Sequence, residues 1–308
     1  MKWTTRAFIQ RVLSKTPGGE QVYHQGQFYF GQLRDFKVDS KVGLGRRLLK
    51  SLIKSGATIA GRRTLEIGTG WAPTIPILFW LFRQRECDTY DISKILAPSL
   101  IIEAATQLVN HPISHELLAD DQLRYEVEER KQELKMLIER GARGRDILKY
   151  CNIRYHAPAD AANTNLANGS VDVVYSSTVL EHIPQPEIKK LFVESLRILR
   201  PGGHIVHLID MNDHFTYTDQ SISSINFLQF SEDAFSKYNS KFLYQNRLRA
   251  SRWRQMIIDN GFEIVYWQPN TNHEALSTLS SFPLNEDFAS MEAEDVCTTS
   301  VYVVAKKP

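Results

Sequence analysis

From residue 62 onward, short apolar runs alternate with helix-spaced ones. "RRTLEIG" reads as a buried strand, and the longer "TIPILFWLFRQR" after it as a buried helix. "ECDTYDIS" predicts a second strand ending in an acid, and a charged helical stretch follows from about Lys94 to Arg140. "CNIRYHAP" predicts a third strand and "VDVVYSSTVL" a fourth, nearly all apolar, as suits a strand buried on both faces. In "PEIKKLFVESLRIL" the residues Ile188, Leu191, Phe192, Leu196 and Leu199 recur at helical spacing, with Pro186 suited to the first turn. "RPGG" (Arg200 to Gly203) predicts a turn and "HIVHLID" a fifth strand. A polar, aromatic segment (Met211 to Leu248) then leads to a helix around Ser251 to Asn260 and to the strands "FEIVYW" and "TTSVYVVAK".

Repetition of strand, helix and strand implies an α/β fold, a parallel sheet covered by helices on both faces. The connection from Gln268 to Cys297 is loop-like, which predicts an antiparallel last strand. Residues 1–60 precede the first strand and look mostly helical. They contain "GGEQVYHQGQFYFGQLRDF", too polar for a second core, and predict an N-terminal helical lid on a main domain spanning 61–308. The first of its helices would carry a stripe of Trp3, Ala7, Phe8, Val12 and Leu13. Within the main domain a helical insertion is expected at about 110–150 and a substrate-side cap at about 211–250.

Composition narrows the function classes. The 308 residues are 43% hydrophobic and 23% charged, with a net charge of +2, too balanced for a dedicated nucleic-acid binder. Cys87, Cys151 and Cys297 are odd in number and far apart, so neither disulfides nor a zinc site follow, and a reducing cytoplasm fits best. The most apolar stretch, "IPILFWLF", is far shorter than the ~20 residues that span a bilayer, so no integral membrane segment is expected.

In an open parallel sheet, ligands bind outside the carboxyl ends of the strands. Four of these ends carry candidate chemistry. Gly68 and Gly70 allow a tight turn and a close approach of backbone to ligand. Asp91 ends the second strand about 20 residues after Gly70, where a carboxylate commonly accepts ribose hydroxyls. Asp160 follows the third strand, and Ser176 and Ser177 close the fourth. A dinucleotide fold wants GxGxxG with the pyrophosphate on a helix N-terminus. Here Pro73 stands where that third glycine would be, and Glu66 brings a negative charge. Electrostatics therefore favours a cationic ligand and disfavours a nicotinamide dinucleotide oxidoreductase.

The order of these pieces resembles the class I S-adenosylmethionine-dependent methyltransferases, in particular the small-molecule branch with E-x-G-x-G-x-G. "LEIGTGWA" stands for the glycine motif with Ala72 at its third glycine, and "YDIS" for the ribose-binding acid. "APADAANTNLANGSVDVVYSSTVLEHI" and "ILRPGGHIV" follow in order, so the resemblance covers about Arg62 to Asp210. It implies a doubly wound, seven-stranded, mostly parallel sheet and S-adenosyl-L-methionine as cofactor. It also implies that Glu66, Gly68 and Gly70 line the methionine end, Glu66 near the amino group directly or through water. Asp91 would hold the ribose with Ile92 beside the adenine, Asp160 would reach the adenine amino group beside Ala161, and Ser176 would contact the methionine portion. Trp71 would close over the cofactor or simply pack.

A hydroxyl acceptor must lose a proton during transfer, so a base is sought. Candidates are His182 in "LEHI" and Asp210, Asp213, His214 and Tyr217 in "IDMNDHFTYTD"; His182, Asp210 and His214 are the catalytic expectation. "DMNDH" holds metal-ligating residue types, but helix-capping acids in a polar loop explain it as well, and no metal is expected. Arg247, Arg249, Arg252 and Arg254 could meet an anionic substrate, though a solvated helix face explains them better. The function expected is methyl transfer to a small molecule, with O-methylation favoured. The alternatives are C- or N-methylation, or cofactor binding without catalysis. No nucleic-acid partner is expected, and a homodimer stays open.

Overall fold

The computed structural model describes residues 1–19, 22–23, 36–112, 121–240 and 242–308. The apolar runs become the strands β1 (Arg63–Ile67), β2 (Glu86–Tyr90), β3 (Ile153–His156), β4 (Val171–Ser177), β5 (Leu199–Asp210), β6 (Glu263–Thr271) and β7 (Thr298–Lys306). They form one seven-stranded sheet in the order β3-β2-β1-β4-β5-β7-β6. The pairs β1–β2, β1–β4, β2–β3 and β4–β5 are parallel, and β7 runs antiparallel between β5 and β6. The sheet is therefore mostly parallel and doubly wound, as the sequence pattern predicts. Strand order reverses between β1 and β4, and the crevice at such a reversal is where this architecture binds ligands.

Alternation along the strands supplies both faces of the sheet. Val173 and Tyr175 of β4 and Tyr302 and Val304 of β7 face one apolar cluster, while Val174, Val301 and Val303 face the other. The first cluster is closed by helices α2 (Asp39–Lys54), α3 (Thr74–Leu81), α4 (Pro98–Asn110), α5 (Asp121–Glu139) and α6 (Gly144–Tyr150). The second is closed by α7 (Gln185–Ile198) and α8 (Ala250–Asp259). Every residue of α3 is buried, which explains a helix with no polar stripe.

Several expectations change. Half of the expected lid is core: α2 buries Val42, Leu48, Leu49 and Leu52 against the sheet layer. Helix α1 (Trp3–Lys15) docks by Trp3, whose ring meets Phe215, Phe230 and Tyr238 at centroid distances of 5.4, 5.9 and 4.7 Å. Its buried residues are Ala7 and Gln10, so Phe8 and Val12 of the expected stripe are exposed. The glycine- and aromatic-rich part of the expected lid lies largely outside the described residues, as do residues 113–120 of the expected 110–150 insertion.

"RPGG" is not a separate turn; β5 runs through it, and a register shift opposite Val171 and Val173 absorbs the extra residues. The segment from Gln268 to Cys297 is not loop-like. After β6 it forms short helices at His273–Thr278, Glu286–Ala289 and Ala293–Cys297. These helices join the 211–250 segment around a third apolar cluster that includes Phe227, Leu228, Phe235 and Phe288. Arg247 and Arg249 are not a solvated face: both are buried, and only Arg252 and Arg254 are exposed. Cys87, Cys151 and Cys297 are free and buried. No helix among the described residues is long and apolar enough to cross a membrane.

Candidate functional site

The site grows from the turn that leaves β1. Gly68 has φ +83 and Gly70 φ +66, the left-handed region that glycine alone enters without strain. The two differ in surroundings. A Cβ on Gly68 would stand 2.5 Å from Cγ2 of Val179, whereas one on Gly70 would meet nothing within 4 Å. The close backbone approach expected of both glycines is thus a packing need at Gly68 and open space at Gly70. The Gly68 amide donates to the Tyr90 carbonyl and the Gly70 amide to Asp91 Oδ2, each at 2.8 Å, fastening the turn to the end of β2. Asp91 Oδ1 accepts from the Ser93 amide at 2.8 Å, so each carboxylate oxygen keeps a lone pair for a further donor.

Around this turn opens a cleft of about 620 Å³. Of the residues singled out in the sequence, Gly68, Gly70, Trp71, Asp91, Ile92, Asp160, Ala161 and His182 line it. Trp71 stands in the wall, and its carbonyl accepts from the Ala97 amide at 3.2 Å. Asp160 is exposed and turns Oδ1 back onto the Ala162 amide at 2.8 Å.

Glu66, Ser176, Asp210 and His214 do not line the cleft. The register of β1 and β2 sets Glu66 opposite Thr89, which donates to Glu66 Oε2 at 2.5 Å. Burial, together with the Asp91 carboxylate, pushes the Glu66 carboxyl up to about 8 against the opposing pull of Thr89 and Lys41. The register of β4 and β5 likewise pairs Ser176 with His207, and Ser176 Oγ lies 2.8 Å from His207 Nδ1, fully buried. Ser177 and Thr178 line the cleft in its place, Thr178 at a φ of 55 that is uncommon for a β-branched residue.

Beyond β4 and β5 a second polar cluster forms. His182 Nδ1 lies 2.7 Å from the Tyr244 carbonyl, and its ring meets that of His214 edge-on with centroids 4.8 Å apart. Asp210 Oδ2 is 3.4 Å from His214 Nε2 and accepts a short hydrogen bond from the Tyr217 hydroxyl. Asp213 is a capping residue, its carboxylate bonded to the Phe215 amide at 2.9 Å and Asn226 at 3.0 Å.

Two residues that the sequence reading passed over belong here. Lys41, in the first turn of α2, lines the cleft; it is solvent-accessible yet walled round by protein, and that surrounding lowers its pKa against the pull of Glu66 and Glu181. Glu181 is 1% exposed, and burial with the neighbouring Asp210 carboxylate pushes its carboxyl well above the usual range. Neither had a signal in the sequence. Lys41 lies in a segment remote from the motifs, and Glu181 reads as one more polar residue beside a histidine.

Residues 125–207 match the family model described as a methyltransferase domain, a span that runs from α5 through β3 and β4 into β5. None of the curated proteins matches the chain. Solved structures similar to it include the cyclase SpnF, at 12% identity and a TM-score of 0.47 over 87% of this chain and 80% of that one. An S-adenosylmethionine-dependent methyltransferase from Mesorhizobium loti is similar at 14% identity and a TM-score of 0.44, over 81% and 92%. A geranyl diphosphate C-methyltransferase from Streptomyces coelicolor is similar at 11% identity and a TM-score of 0.49, over 87% and 79%. The matched segment, the strand order and the motifs in sequence agree: the chain carries a methyltransferase domain, on the seven-stranded, mostly parallel sheet that the resemblance to the class I enzymes implies.

Proposed function

We propose that this methyltransferase acts on a small molecule and that the acceptor atom is a hydroxyl oxygen. The observation that carries the reading is the imidazole of His182 on the cleft wall, with the His214–Asp210 pair directly behind it.

The cleft residues fit the cofactor. Gly70 leaves open space where a side chain would stand, and Asp91 keeps lone pairs on both oxygens that can accept ribose hydroxyls. Ile92 is 78% exposed on the same rim, an apolar surface suited to a flat heterocycle, and Asp160 and Ala161 line the same cleft. Glu66 sits behind the turn, held largely protonated by burial, and an ammonium in the cleft would favour its ionised form. Trp71 is assigned to the wall beside the methionine end, and Ser176 acts through His207 and the strand end rather than by touching ligand. Bound, the cofactor supplies a methyl group on a sulfonium, which is already a good leaving group. What remains for the chain is alignment, worth several kcal/mol of barrier, and withdrawal of the hydroxyl proton. With Nδ1 held on the Tyr244 carbonyl, His182 offers Nε2 to that proton, and Asp210 can orient His214 behind it.

Incubating labelled cofactor with cell extracts and identifying the labelled product tests the reading. The expected product is a small molecule methylated on oxygen. His182→Ala should lower kcat by about 10²-fold or more while leaving S-adenosylhomocysteine affinity within a factor of a few. Methylation on carbon or nitrogen would replace the hydroxyl reading, and no transfer across varied extracts would favour cofactor binding without catalysis.

A further inference from the structure

We propose that Glu181, His182 and His214 form a site for one divalent first-row transition-metal ion at the inner edge of the cleft. One ligand atom from each residue lies within 4.8 Å of the others. Three ligands spread evenly about an ion on bonds of about 2.1 Å stand at most ~3.6 Å apart, so the side chains close by about an ångström to complete the set.

A second observation points the same way. Glu181 is 1% exposed, and neither of its carboxylate oxygens makes a hydrogen bond of normal geometry, the nearby donors being the backbone amides of Glu181 itself and Asp210. A buried carboxylate without such bonds is costly, and such groups are normally paired or bound to metal. Lys41 acts on Glu181 only through its field and makes no bond to it. Asp210, the other charge close by, is negative and adds to the demand for a cation.

The supporting contacts are those that histidine ligands use. The Tyr244 carbonyl, 2.7 Å from His182 Nδ1, fixes the tautomer that leaves Nε2 with its lone pair. Asp210 Oδ2, 3.4 Å from His214 Nε2, is placed to orient that ring. Two imidazoles and one carboxylate suit zinc, manganese or iron, whereas calcium and magnesium prefer all-oxygen sets. Because His182 also lines the cleft, an ion held on its Nε2 would stand beside the chamber. There a bound hydroxyl would release its proton more readily, and with the ion in place His182 Nε2 is a ligand and no longer the base. That last consequence rests on the O-methylation reading, and the binding site does not.

The full-length chain, stripped with a chelator, is titrated with Co²⁺ followed by visible absorption and with Zn²⁺ followed by calorimetry. Saturation at one equivalent is expected, with Glu181→Gln and His214→Ala each weakening the affinity by about tenfold or more. S-adenosylhomocysteine binding, measured on the same samples, should be retained by both variants; this reports a folded cleft and separates failure of the metal site from failure of the cofactor reading. If either variant does not fold, His182→Gln takes its place, and Zn²⁺ should still raise the Tm of the wild type reversibly by chelator. No saturable uptake overturns the site, and so does equal affinity in wild type and variants, which would assign the metal to surface histidines.

Discussion

Two residues in the glycine turn differ in what they tolerate. At Gly68 an added methyl meets both a left-handed φ and the Val179 side chain, whereas at Gly70 it meets only the φ. Gly68→Ala should therefore destabilise by about 2–4 kcal/mol, strain and overlap together, and Gly70→Ala by about 1 kcal/mol. Val179→Ala should restore part of the loss in the Gly68→Ala background and none in Gly70→Ala; urea unfolding of the four variants checks this. Glu66 gives a pH signature. Its carboxyl is held at about 8 in the fold against 4.5 for a free carboxyl, so the native state binds a proton that the unfolded state has lost. Its contribution to stability is full below the ordinary carboxylate range and fades as pH rises to about 8. Glu66→Gln should flatten that part of the stability curve. Binding of S-adenosylhomocysteine near pH 7 should release a proton from the wild type, because the ligand's ammonium favours ionised Glu66; calorimetry in buffers of different ionisation enthalpy reads it. A buffer-independent heat would remove Glu66 from the cation's surroundings.

Among elements, the edge of the sheet is tied by Asp88. Its carboxylate on β2 accepts from Arg154 at 2.7 and 2.8 Å, from Arg63 at 3.1 Å, and lies 2.9 Å from His156. Register explains the meeting: Arg154 is the parallel partner of Asp88, and His156 lies two residues on, on the same face. Burial opposes ionisation here, but the bonds from Arg154, His156 and Arg63 outweigh it and hold the carboxyl at about 2. The stability Asp88 supplies is thus present above the ordinary aspartate value and lost as pH falls toward 2. Asp88→Asn should cost about 1–3 kcal/mol at neutral pH and little at pH 2, as denaturant titrations at the two pH values would report.

At the scale of the whole molecule, the cap is joined to the sheet by a buried arginine. Arg249 is 0% exposed and donates to the carbonyls of Met211 and Thr298, one after β5 and the other at the start of β7. Arg247 reaches the carbonyls of Phe227 and Phe230 and pairs with Glu232 inside the cap. Arg249→Met should leave two buried carbonyls without donors and cost about 2–5 kcal/mol, with limited proteolysis cutting first within 211–250. If the cap stays as protected as in the wild type, the joint lies elsewhere. Helix α1 leans on that cap through Trp3 and through the bond of its amide to Asp219 at 2.9 Å, so the chain's start is a brace for the cap.

The sequence by itself determined the strands, their parallel arrangement and the glycine turn with Asp91 after it. Each is set by local physics: apolar runs that fit a strand buried on both faces, a backbone that only glycine relaxes, and a strand end that opens on the cleft. It also put His182 beyond the end of β4, on the edge where the cleft opens, because strand ends in this topology share one edge. Tertiary structure decided whatever depends on what a side chain meets across the fold. Glu66 is held largely protonated because it is buried opposite Thr89, and Ser176 faces His207 because β4 and β5 pair in that register. Arg247 and Arg249 read as surface until the cap closed around them, and Glu181 gained its meaning only when β5 and the following loop carried His214 to its side. Hydrophobic period reports which face of an element is buried; it carries no record of which polar groups, distant along the chain, that burial forces together.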